Sequence, residues 1–120
     1  MDLNHTIVPA TDKEASAIWF ARIMGLTYEG PMGPFCPVRI SKALTLDFDD
    51  RREVVHHQYA FAVNDDEFDS IFGRVQAEGI TYGSGPAGER TTMTINHREG
   101  GRGVYFDDIN GHSIELMTRA

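Results

Sequence analysis

The segments LTYEGP (26–31) and ITYGSGP (80–86) each follow directly on a glycine, Gly25 and Gly79, that closes a stretch with helical signals. A helix-stopping glycine, an apolar-Thr-Tyr run and a Gly/Pro turn thus occur twice in 120 residues. An internal repeat of this kind constrains the fold more than any other feature of the chain. Each copy must present the same elements in the same order, and neither is long enough to be an ordinary domain alone.

The elements around the two copies agree. LNHTIVPA reads as a strand that stops at Pro9 and Thr11. TDKEASAIWFARIMG reads as a helix, with Thr11 or Asp12 as N-cap, Gly25 as C-cap, and Ile18, Trp19 and Ile23 as an apolar stripe beside Arg22. PVRIS and ALTLDFDD then form a hairpin around Ser41 and Lys42, with Leu44, Leu46 and Phe48 alternating against Thr45, Asp47 and Asp49. The second round has HHQYAFAV as a strand and NDDEFDSIFGRVQAEG as a capped helix ending at Gly79. TTMTINH, RGVYFDD and GHSIELMT are its further strands. The chain is therefore expected to be α+β, one domain of two βαβββ modules, about 1–52 and about 53–120.

Charge and composition exclude several classes. A net charge of −7 opposes binding to nucleic acid or an anionic membrane, since both need a basic footprint. No apolar run is long enough to cross a bilayer, and the N-terminus has no signal-peptide core. Cys36 is the lone cysteine, which leaves no internal disulfide and fits a reducing compartment. The expectation is a cytoplasmic, soluble, compact domain.

Three strands carry side chains able to coordinate a metal: His5, the His56-His57-Gln58 run, and Glu115. Imidazole and carboxylate ligate Zn, Mn, Ni and Fe(II), and two His with one carboxylate is the pattern of non-haem Fe(II) oxygenases. His97, Arg98 and Arg102 sit among flexible glycines in NHREGGRG, which reads either as a solvated loop or as a segment supplying a general base or an anion contact. Trp19, Phe20 and Phe72 are read as core. Cys36 has no base near it in sequence and is given no nucleophilic role.

The repeated unit, the opening NHTIV, the strand YAFAV before a helix, and the closing GVYFDDINGHSIELM resemble the vicinal oxygen chelate superfamily over almost the whole chain. That group includes glyoxalase I, bleomycin-resistance proteins, fosfomycin-resistance enzymes and extradiol dioxygenases. The resemblance implies that the two curved sheets make a cupped, half-open barrel and that the protein is a homodimer. It also implies one divalent metal per chain, of the Fe, Mn, Ni or Zn type, held by residues on the first, fifth and eighth strands. His5 and Glu115 match the first and last of these. On the fifth strand, counting back from Phe61 and Val63 lands on Gln58, so Gln58 ranks first as ligand, His57 second and His56 third. Asp47 stands near the position where glyoxalases carry a proton-abstracting carboxylate, and it reads equally as an acid beside Asp49, Asp50 and the solvated turn DDRRE; His97 is the candidate base on the glycine loop.

Three functions follow from the resemblance. The first is dioxygenase-like oxidation of an oxygenated, aromatic small molecule at a metal held by His5, Gln58 (or His57) and Glu115. The second is a glyoxalase-like lyase or isomerase that uses Asp47. The third is a metal-free binding protein that sequesters a planar ligand.

Overall fold

The computed structural model describes residues 1–120 as two compact units, Met1–Val55 and His56–Ala120. Together they carry an α+β fold of two βαβββ modules.

In the first unit, strand β1 (His5–Pro9) leads to helix α1 (Lys13–Met24), then to β2 (Cys36–Arg39) and β3 (Thr45–Asp49). The sheet order is β1-β3-β2, with β1 parallel and β2 antiparallel to β3. Helix α1 starts where the Asp12 side chain accepts the Ala15 N–H at 3.0 Å, and it stops at Gly25, whose φ of 72° suits a residue without Cβ. Its buried face is Ala17, Phe20, Ala21 and Met24, together with Ile23. This differs from the Ile18–Trp19–Ile23 stripe expected from sequence, because Ile18 is exposed. The observed face keeps the i, i+3, i+4, i+7 spacing without an arginine, and its two alanines let the helix approach the sheet. There Phe20 meets Phe48, ring centroids 5.7 Å apart, above buried Val8, Cys36, Val38 and Leu46.

In the second unit the order is β4 (Gln58–Ala62), α2 (Asp65–Ala77), β5 (Tyr82–Gly83), β6 (Gly103–Asp107) and β7 (Ser113–Met117). The sheet runs β4-β7-β6-β5, with β4 parallel to β7 and the other pairs antiparallel. Helix α2 opens with a capping box: Asn64 accepts the Glu67 N–H at 2.8 Å, and the Glu67 carboxylate accepts the Asn64 N–H at 2.9 Å. Phe68, Ile71 and Val75 are its buried stripe, and Phe72 meets Tyr82 edge to face at 4.9 Å.

The repeat holds in the pairing itself. Tyr82 of ITY pairs with Phe106 in β6, and Tyr28 of LTY makes an isolated antiparallel bridge to Val38 in β2. Module one therefore keeps its second strand only as that bridge, which is why seven strands form instead of eight. TTMTINH does not form the strand expected of it. Met93 has a φ of 58°, the threonines offer no apolar face, and only Asn96 pairs, by a single bridge to Gly103. The strand of that module is instead Tyr82–Gly83. A Cβ on Gly83 would lie 2.0 Å from the Glu89 carbonyl oxygen, so the loop packs directly on its backbone.

Candidate functional site

Each sheet has one face directed to its helix and one left open by it. In the first unit, strand alternation places His5 and Ile7 of β1, Thr45 and Asp47 of β3, and Pro37 and Arg39 of β2 on the open face. A cleft of about 500 Å3 runs over it, lined by His5, Arg39, Thr45 and Asp47 and flanked by Glu29 and Met32. The His5 side chain is exposed, and its Nδ1 lies 2.9 Å from the Asn4 Oδ1.

On the open face of the second unit, Gln58, Ala60 and Ala62 of β4 stand beside Ser113, Glu115 and Met117 of β7, with Gly103, Tyr105 and Asp107 of β6 beyond. The Gln58 amide donates to Glu115 Oε1 at 2.9 Å. The Tyr105 hydroxyl is hydrogen-bonded to Glu115 and accepts from Arg98 Nη1 at 2.8 Å. Arg98 Nη1 also lies 3.8 Å from Glu115 Oε2. Burial raises the Tyr105 phenol above its ordinary value; the Arg98 hydrogen bond opposes that rise and Glu115 adds to it. Tyr105 is thus a neutral hydrogen-bonding phenol near pH 7, next to a carboxylate that is 9% exposed.

The two faces are built alike. His5 opens β1 opposite Thr45, and Asp47 is the third residue of β3. Gln58 opens β4 opposite Ser113, and Glu115 is the third residue of β7. His5 and Asp47 hold in one unit the positions that Gln58 and Glu115 hold in the other. The structure brings His5 and Asp47 to one sheet face, and Gln58 and Glu115 into direct contact on another.

The alternatives on HHQ separate by environment. The His57 ring lies tilted against Tyr59 and His112, at 6.2 Å and 5.9 Å centroid to centroid, and Tyr59 lies on the face opposite Gln58. The His57 N–H donates to His112 Nδ1 at 3.1 Å, and His56 meets His112 edge-on at 6.3 Å. These imidazoles gather where the chain enters β4, while Gln58 is the member of the run on the open face. His97 is exposed at the start of a 3-10 turn, Arg98–Gly100. Arg102 is committed elsewhere: it pairs with Asp69 at 2.7 Å and Asp65 at 3.0 Å, and its guanidinium lies 4.5 Å from the Phe68 ring centroid. Tyr105 is the site residue that sequence reading passed over. Its signal was its place in GVYFDD, on the same strand parity as Gly103 and Asp107, but only the pairing of β6 with β7 sets it against Glu115.

The Gln58 amide oxygen and the Glu115 carboxylate of the second unit, and the His5 imidazole of the first, are each of a type that ligates divalent ions of borderline to hard character. Gln58 engages Glu115 through its amide nitrogen, so its carbonyl oxygen is the atom left to ligate. No three His, Cys, Asp or Glu side chains form a cluster in the chain; the expected set has only two of these types, its third member being an amide.

No protein-family model matches the chain. Among solved structures, oxidase ChaP-H2 is 48% identical and superposes with a TM-score of 0.93, covering 100% of this chain and 94% of that one. A lactoylglutathione lyase from Agrobacterium tumefaciens shares the fold at 18% identity, with a TM-score of 0.71 over 96% of this chain and 91% of that one. Glutathione transferase FosA from Serratia marcescens is 24% identical over 121 residues, 95% of this chain and 78% of that protein. By the paired βαβββ modules and by these similarities, the chain belongs to the vicinal oxygen chelate superfamily.

Proposed function

We propose that the protein is a metal-dependent vicinal oxygen chelate enzyme that oxidises an oxygenated aromatic small molecule with dioxygen. The observation that carries this reading is 48% identity, end to end, with a protein named an oxidase. His5, Gln58 and Glu115 would hold one Fe, Mn, Ni or Zn ion per chain. When bound, that ion supplies Lewis acidity toward adjacent substrate oxygens and, if redox-active, an electron path to dioxygen.

The chain's own residues account for the rest. Gln58 and Tyr105 hold the Glu115 carboxylate in one orientation, so a cation meets a preset oxygen and not a rotating one. Tyr105, accepting from Arg98 Nη1, directs its one O–H at Glu115 and so acts through that carboxylate. His97, exposed on the following turn, is the candidate base for a substrate hydroxyl. Both atoms of dioxygen would enter the product, so the overall change needs no external reductant.

A second reading is a glyoxalase-like lyase, favoured by Asp47, which shares its sheet face and a cleft of about 500 Å3 with His5. In that chemistry Asp47 removes a proton next to a carbonyl and oxygen is not consumed.

Elemental analysis of tag-free protein and of the His5→Ala/Glu115→Ala double variant tests the metal. We expect about one transition metal per chain, lost in the variant. Failure of every ion to bind after reconstitution would leave a metal-free binding protein as the reading. Oxygen uptake then separates the reactions: the oxidase requires dioxygen and tolerates Asp47→Ala, whereas the lyase turns over anaerobically and loses activity with that change.

A further inference from the structure

The most sheltered carboxylate of the second unit's open face has a cation beside it. Arg98 Nη1 lies 3.8 Å from Glu115 Oε2, with the arginine side chain 51% exposed and the glutamate side chain 12%. The same guanidinium donates to the Tyr105 hydroxyl and, at 3.4 Å, to the Ser84 carbonyl. A second cation on Glu115 would be repelled by Arg98 at this range. Arg98 is also well placed to leave. It rides on the short 3-10 turn Arg98–Gly100, which is exposed and followed by Gly101, and in which Glu99 has a φ of 56° and Gly100 a φ of 74°. The sheet does not depend on that turn, because the Asn96–Gly103 bridge closes the loop behind it.

We propose that Arg98 exchanges partners: it neutralises Glu115 while no metal is bound, is displaced when a divalent cation takes that carboxylate, and then pairs with an ionised oxygen of the substrate. This rests on Glu115 being a metal ligand, and it narrows the substrate to a compound that carries an oxyanion, such as a catecholate, an enolate or a carboxylate. One residue thereby opposes metal binding and favours substrate binding. That opposition distinguishes it from a residue that merely props up the fold.

The test uses manganese(II), titrated in competition with a chromogenic chelator, and catechol, titrated onto manganese-loaded protein. Wild type, Arg98→Gln, Arg98→Lys and Glu115→Gln are compared. Arg98→Gln should bind manganese about fivefold more tightly and catechol about fivefold more weakly, in keeping with a half-exposed ion pair. Arg98→Lys, which keeps the charge, should stay near wild type on both. In the wild-type protein, manganese should speed amide hydrogen exchange over residues 97–101. Metal binding lost in Glu115→Gln but unchanged in Arg98→Gln would overturn the exchange and leave the metal site standing. Equal weakening of metal and catechol in Arg98→Gln, or unchanged exchange at 97–101, would also overturn it. If manganese binds to none of the four proteins, the metal site and the exchange fall together.

Discussion

Asp49 is the clearest case of a single residue held by its surroundings. It is fully buried at the end of β3, where Arg51 reaches it with its backbone N–H and twice with its guanidinium, and Arg52 adds a fourth contact. The Arg51 hydrogen bond is the main cause that lowers its pKa from 3.8 to about 2, against the opposing effect of burial. A carboxylate depressed in the folded state contributes stability above its unfolded value, and that contribution is lost as pH falls through the folded one. The window is therefore from 3.8 down to about 2. With the arginines exposed, Asp49→Asn should cost about 1 kcal/mol at pH 7 and much less near pH 2, measured by urea unfolding at both pH values. At the proposed metal site, Gln58→His replaces an amide oxygen by imidazole. It should tighten Fe(II) binding about tenfold in a chelator competition, because imidazole is the better donor for that ion.

At the scale of the element, the ends of the helices were readable and the strand edges were not. Asn64 and Glu67 announce the start of α2 by their spacing alone, since a capping box needs only local backbone. Asn64→Ala should lower stability by about 1 kcal/mol in denaturant unfolding, with the slope of the transition unchanged. The face of α1 was misread because Ile18 and Ile23 outweigh Ala17 and Ala21 in hydropathy, although small side chains are what close helix–sheet packing requires. TTMTINH was misread for a related reason. Its β-branched residues favour extended backbone, but nothing in the loop provides a buried face for them. Gly83→Ala drives a Cβ into the Glu89–Arg90 backbone, and it should cost at least 2 to 3 kcal/mol, roughly, read as a lowered thermal midpoint.

For the whole molecule, the repeat was the decisive feature for the α+β class, and the superfamily was legible through the resemblance of NHTIV, YAFAV and GVYFDDINGHSIELM to that family. The ligands proposed above come from both modules, His5 from one and Gln58 and Glu115 from the other, so assembly bears on the proposed function. We expect the protein to sediment as a dimer, and we expect metal binding to return when His5→Ala and Glu115→Ala chains are unfolded together and refolded as mixed dimers. Absence of recovery in a confirmed mixed dimer would mean that each site draws on one chain alone. No helix of the chain is long and apolar enough to cross a membrane.

Sequence by itself determined what depends on neighbours along the chain: the two helices and their caps, the alternation that puts Gln58 with Ala60 and Ala62, and the order of the elements. Those follow from local hydrogen bonding and from the fixed periods of helix and strand. Tertiary structure alone decided what depends on pairing between distant segments. It set Gln58 against Glu115, 57 residues away, withdrew Arg102 to the start of α2, and placed Tyr105 and Arg98 around the same carboxylate. Strand register is fixed by burial of an entire sheet face, and a shift of one residue would turn every one of these side chains to the other side.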